Sequence, residues 1–125
     1  MTTKSLNTPS GGAAEPAVLE HECIEMDRLA HQTKVFGNPI QLRYKEFEIL
    51  WLLLQYKGAV VRVRDINEKV YGDPFGEREQ TVAGLVAKIR EKIGFQAGSL
   101  IQNVMGIGYR IEGRTSRKSP REFSN

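Results

Sequence analysis

Between residues 19 and 54 the spacing of apolar side chains changes from two to nearly four, and this limits the chain more than its composition does. Ile24 and Met26 flank Glu25, Ile40 and Leu42 flank Gln41, and Gly37-Asn38 separates TKVF from PIQL. Such alternation predicts a small antiparallel sheet containing a hairpin. Phe47, Leu50, Trp51 and Leu54 then fall at i, i+3, i+4 and i+7, which predicts an amphipathic helix over residues 44–57 with Gly58 as its stop. A sheet followed by a helix in so short a chain is an α+β arrangement.

The helical period continues. Residues 63–71 predict a second helix that buries Ile66 and Val70 and stops at Gly72-Asp73-Pro74, after which DPFGERE reads as a loop. In QTVAGLVAKIREKI, Val82, Val86, Ile89 and Ile93 form a stripe that must lie on the core, and Gly94 is expected to end the helix. At about 100° per residue the opposite face comprises Gln80, Thr81, Gly84, Ala87, Lys88 and Glu91. LIQNVMGIGYRI supplies two short β-like runs around Gly106-x-Gly108, a hairpin whose tip needs the freedom of glycine. Three helices followed by a hairpin suggest a helix-turn-helix with a wing. The last helix would enter the major groove, and the hairpin would reach the neighbouring backbone or minor groove.

The 125 residues and an apolar share of 40% suit one folded domain. We expect a leader or linker over residues 1–17, the folded unit over 18–113 and a basic tail over 114–125. The longest apolar run, Ile49 to Leu54, is too short to cross a bilayer, and the amino terminus lacks a signal-peptide pattern, so no membrane association is expected. Cys23 is alone, which rules out an internal disulfide and leaves a cysteine-based metal site short of ligands; it reads as a half-buried strand cysteine. Residues 79–125 hold eight Lys or Arg against four Asp or Glu, so the positive charge is concentrated in the last third. Both histidines fall in the amino-terminal sheet region, with no nucleophile-base pair and no phosphate-binding glycine loop. No enzymatic activity, metal or cofactor is expected.

LRYKEFEILWLLL, VVRVRDINEKVYG, EQTVAGLVAKIREKIG and LIQNVMGIGYRI resemble, in order and with compatible spacing, the effector domain of the OmpR/PhoB family of winged-helix response regulators. The resemblance covers about Leu19 to Gly113. It implies a cytoplasmic DNA-binding transcription factor with an amino-terminal four-stranded antiparallel sheet, a three-helix core and a carboxy-terminal hairpin wing. It also implies binding as a pair to direct repeats of double-stranded DNA. Nothing here offers the acidic pocket or phosphorylated aspartate of the receiver domain that usually precedes this module. The chain is therefore either a piece of a longer regulator of a two-component system or a free-standing form under other control.

The resemblance marks the positions of Tyr71, Gln80, Thr81, Gly84, Ala87, Lys88, Asn103 and Met105 as DNA-contacting; the family arginine at the start of the second helix falls on Val63, and Arg62 and Arg64 beside it are the candidate contacts there. Thr81 and Lys88 match the family pattern, whereas Gln80, Gly84, Ala87 and Glu91 depart from it. Lys88 can donate to a guanine edge or a phosphate and Gln80 to adenine, while Gly84 and Ala87 donate nothing. Arg43 and Arg62 stand where the family caps helices with Thr and Ser, and losing such a cap typically costs about 1 kcal/mol. Arg62 and Arg64 either meet phosphate at the second helix's amino end or stay solvated. Tyr71 replaces a family Trp, and Met105 replaces a wing-tip Arg whose charge suits a narrow minor groove. Arg110 is expected to support the wing, while Arg114, Arg117, Lys118 and Arg121 in the tail either stay solvated, as short basic tails usually do, or supply the missing charge. The loop residues Pro74, Phe75 and Glu77 align with a segment that meets RNA polymerase in several family members, although Phe75 has an equal claim to fold onto the core. The competing reading is a winged-helix protein-interaction module in which base reading is reduced or lost.

Overall fold

The computed structural model describes residues 16–72 and 81–112. Four short strands come first: β1 (Val18–His21), β2 (Ile24–Asp27), β3 (Gln32–Val35) and β4 (Asn38–Ile40). They form an antiparallel meander in the order β1-β2-β3-β4. One face of the sheet supplies Ile24, Met26, Thr33 and Val35 to the interior, as period-two alternation requires. Cys23 lies in the turn between β1 and β2, outside either strand, which corrects its expected place.

The first helix, α1 (Tyr44–Gln55), closes the open face of this sheet and ends two residues before the expected Lys57. Leu52 and Leu53 are buried along with the predicted Phe47, Leu50, Trp51 and Leu54, so α1 is wrapped by core on more than one side. Arg43 occupies its N-cap position, and a guanidinium has only donors, so its side chain cannot accept from first-turn amides. Glu46 makes the reciprocal half of a capping box: its Oε1 accepts from the Arg43 backbone N–H at 2.8 Å. The same oxygen accepts from Lys92 Nζ at 2.7 Å, although Glu46 is only 1% exposed. The carboxylate that closes this half of the capping box is thus buried and shared with the third helix.

Beyond α1 a strand of two residues, β5 (Val61–Arg62), runs directly into α2 (Val63–Tyr71). Ile66 is fully buried, Val70 is half-buried, and Gly72 in the left-handed region ends the helix as expected. The third helix, α3 (Val82–Gly98), buries all four residues of the predicted stripe, together with Leu85. At Gly94, φ is +93° and ψ is 169°, so the regular helix breaks there as expected, but one more turn follows before the chain leaves at Ser99.

The hairpin comprises β6 (Ile101–Val104) and β7 (Gly108–Ile111), with Gly106 at φ +75° in its turn. β5 adds to the outer side of β7, giving a second antiparallel sheet of order β5-β7-β6 that the sequence did not lead us to expect. Gly108 belongs to the strand and not to the tip. A Cβ there would lie 2.1 Å from the Val61 carbonyl oxygen and 2.9 Å from Arg62 Cα, so only glycine lets β5 approach this closely.

Candidate nucleic-acid interface

Because α3 keeps its β-branched residues inside, its opposite face is left to solvent. Thr81, Gly84, Ala87, Lys88 and Glu91 are all exposed on it. Gln80, predicted for the same row, lies outside the described residues, as do Pro74, Phe75 and Glu77 of the polymerase loop. Thr81 is also the N-cap of α3, and its Oγ1 accepts from Gly84 N–H at 3.0 Å. That hydroxyl fixes the start of the helix whatever else it touches. Lys88 is the one cation on the row, Glu91 opposes it in sign, and Gly84 and Ala87 carry no polar side chain.

The α2 amino end and the wing are joined through backbone. Val63 N–H donates to Ile107 O at 3.2 Å, and Arg62 pairs with Gly108 in the β5–β7 register. One first-turn amide of α2 is therefore already satisfied by the wing, which reduces what this helix end can offer an anion. Arg62 and Arg64 are both exposed beside it. Tyr71, at the far end of α2, is half-buried, with Lys45 Nζ 4.7 Å from its ring centroid.

The wing is tied to α3 as well. Arg90 Nη2 donates at 2.7 Å to both Ile101 O and Asn103 Oδ1, so Asn103, a predicted contact, is anchored to the third helix. Because guanidinium only donates, the Asn103 amide must turn its oxygen toward Arg90, which leaves its NH2 as the outward group. Arg110 bonds Gln102 Oε1 across the hairpin through Nε (3.1 Å) and Nη2 (3.0 Å), in the supporting role expected of it. Met105 at the tip is 94% exposed, and Ile107 is half exposed, so the wing tip is apolar.

Sequence reasoning did not anticipate two features. Arg90 was not singled out in the sequence; only the fold shows that it reaches β6. Phe95 follows the Gly94 break and is 90% exposed, beside a groove that Ala87 and Glu91 also line. Burial pushes the Cys23 thiol above its ordinary range, with the nearby Glu22 charge adding to the effect and the backbone hydrogen bond at Cys23 opposing it. That shift makes it a poor nucleophile. Among the described residues no three His, Cys, Asp or Glu side chains gather as metal ligands, and no helix is long and apolar enough to cross a membrane.

Comparison with known proteins follows the same lines. The family model described as "Transcriptional regulatory protein, C terminal" matches residues 37–111. The response regulator SaeR of Staphylococcus aureus is 31% identical over 96 residues, which cover 75% of this chain and 42% of SaeR. The chain thus spans less than half the length of that relative. Among solved structures, the response regulator DrrB of Thermotoga maritima, an OmpR/PhoB homologue, is 27% identical with a TM-score of 0.66 over 78% of this chain and 45% of its own. The RstA DNA-binding domain of Klebsiella pneumoniae, solved in complex with RstA box, shares the fold at 17% identity and a TM-score of 0.68, over 78% of this chain and 98% of its own.

Proposed function

Because the chain belongs to the family of transcriptional regulatory protein C-terminal domains, the OmpR/PhoB-type DNA-binding effector domains of response regulators, we propose that it reads double-stranded DNA in a sequence-dependent manner. In this reading α3 lies in the major groove, and the β6–β7 wing lies on the adjacent backbone or minor groove. The observation that carries it is the exposed row from Thr81 to Glu91, whose core-facing counterpart is wholly buried, so the helix has a full face to spare. The RstA domain, which shares this fold, was solved in complex with RstA box, and that supports DNA as the partner.

On that face Lys88 supplies the charge, to a guanine edge or a phosphate, and Ala87 suits a thymine methyl. Gly84 and Ala87 lower the helix surface and permit close approach to the bases, and Gln80 adds an amide at the start of the row. Arg62, Arg64 and Tyr71 are assigned to backbone phosphates, Asn103 and Met105 to the wing contact. Two copies on direct repeats, the loop of Pro74, Phe75 and Glu77 against RNA polymerase, and a cytoplasmic location complete the reading. Enrichment of one repeated half-site from random duplexes at moderate salt would establish it, and recovery of no preferred sequence would reject it.

One set of observations favours a second reading, a winged-helix module for protein partners. The groove face carries few donors, the wing tip carries Met105 and Ile107, and Phe95 stands exposed near the end of α3. Salt separates the two. Binding through several phosphates weakens steeply as salt rises, by a slope of about −0.9 per neutralised phosphate, whereas a contact of mixed polarity changes far less.

A further inference from the structure

Away from the α3 row, a groove of about 650 Å³ opens where the β1–β2 turn meets the end of α3 and the approach to β6. Its apolar part comes from buried Ile24, half-buried Leu100 and Phe36. Phe36 is 61% exposed, and its backbone is held at φ +52° with its N–H on Cys23 O at 2.8 Å. Glu20, Glu22 and Glu25, all exposed, supply three negative charges to the same lining. Among the described residues no lysine or arginine lines it. The groove therefore fits a basic segment that also carries apolar side chains.

The described chain ends at this place. Glu112 N–H donates to Leu100 O at 2.8 Å, and the buried His21 donates from Nε2 to Glu112 O. His21 stands between Glu20 and Glu22, so residue 113 starts from the groove's own rim. The segment that follows, GRTSRKSPREFSN, holds Arg114, Arg117, Lys118 and Arg121 against Glu122 alone, and it includes Phe123. Five extended residues span about 17 Å, so Arg117 is within reach of every glutamate on a groove of this size. Residues 1–15 match the groove poorly, because Lys4 and Glu15 leave them without net charge.

We propose that residues 113–125 dock in this groove, with Arg114, Arg117 and Lys118 against Glu20, Glu22 and Glu25. Each exposed ion pair contributes little alone and is screened by salt. Attachment at the rim makes the contact intramolecular, at an effective concentration in the millimolar range, so weak pairs suffice.

Cys23 lines the same groove and is the sole cysteine of the chain, which provides a clean reporter. Its alkylation by N-ethylmaleimide, followed by intact mass, is expected to be several-fold slower at low salt than at about 1 M, where the screening length falls to about 3 Å. The charge reversal Arg117→Glu with Lys118→Glu should give the fast rate at low salt and abolish the salt dependence. Adding Glu22→Lys and Glu25→Lys to that reversal should restore protection. Taking basic charge away from a thiol by itself slows its alkylation, so a faster rate after reversal reports uncovering of the groove. Amide shifts of Gly37, Gln96 and Leu100 should move with the reversal while the thermal midpoint holds. An unchanged rate with unmoved shifts would overturn the proposal. Should the rate stay the same while duplex affinity falls, the tail's partner is DNA and the groove assignment is equally wrong.

Discussion

Replacing Gly108 with alanine tests whether the wing is locked to α2 through β5. The added Cβ would meet the Val61 carbonyl oxygen at 2.1 Å and Arg62 Cα at 2.9 Å, all backbone of the strand that leads into α2. Relief requires a shift of about 1 Å in β5 or β7. Overpacking of a fitted interior costs about 1 to 3 kcal/mol. Weakening the Val63 N–H to Ile107 O bond, or one rung of the β5–β7 ladder, adds about 1 kcal/mol. The expected loss is about 2 to 4 kcal/mol, or roughly 10 to 25 °C in thermal midpoint for a domain of this size. Gly106→Ala is the matched control. Nothing lies within 4 Å of a Cβ there, so its cost is the left-handed backbone alone, about 1 to 2 kcal/mol. Thermal unfolding followed by far-ultraviolet circular dichroism should rank Gly108→Ala well below Gly106→Ala. Equal midpoints, or the reverse order, would refute the close approach of β5.

Glu46→Ala removes the shared acceptor of the Arg43 N–H and Lys92 Nζ; with Lys92 able to turn toward water, urea unfolding should show a loss of about 2 to 3 kcal/mol, and a loss under 0.5 kcal/mol would mean the pair is idle. Gly84→Ala should stabilise α3 by less than the full propensity gain of about 0.8 to 1 kcal/mol, because the new Cβ lies 3.3 Å from the capping Thr81 Oγ1; a gain above that range in thermal melts would show that the cap is not crowded. Lys88→Ala should lower duplex affinity and flatten the plot of log affinity against log salt by about 0.9, read by fluorescence anisotropy, and an unaltered slope would remove Lys88 from the phosphate contacts.

The sequence made the α3 face legible because period alone assigns each residue to core or solvent, and Val82, Val86, Ile89 and Ile93 are all buried. The two-residue β5 was not legible. Val61-Arg62 has no alternation to show and is a strand only because β7 pairs with it. For the same reason Gly108 passed for a turn residue, when contact with a strand 46 residues earlier requires it. Glu46 was not singled out in the sequence. The available signal was spacing, since a glutamate three residues after the N-cap position reaches back to the N-cap N–H. Arg90 and Asn103 were each readable as surface polar residues, but their bond to one another arises only when α3 and the wing are folded together.

The most direct test of the DNA reading is a titration of the isotope-labelled chain with duplex, following backbone amide shifts. Thr81, Gly84, Ala87, Lys88 and Glu91 should shift together with Asn103 and Met105, while β2 and β3 stay still. If duplex binds and the α3 row keeps its positions while the amino-terminal sheet responds, the third helix is not the reading element.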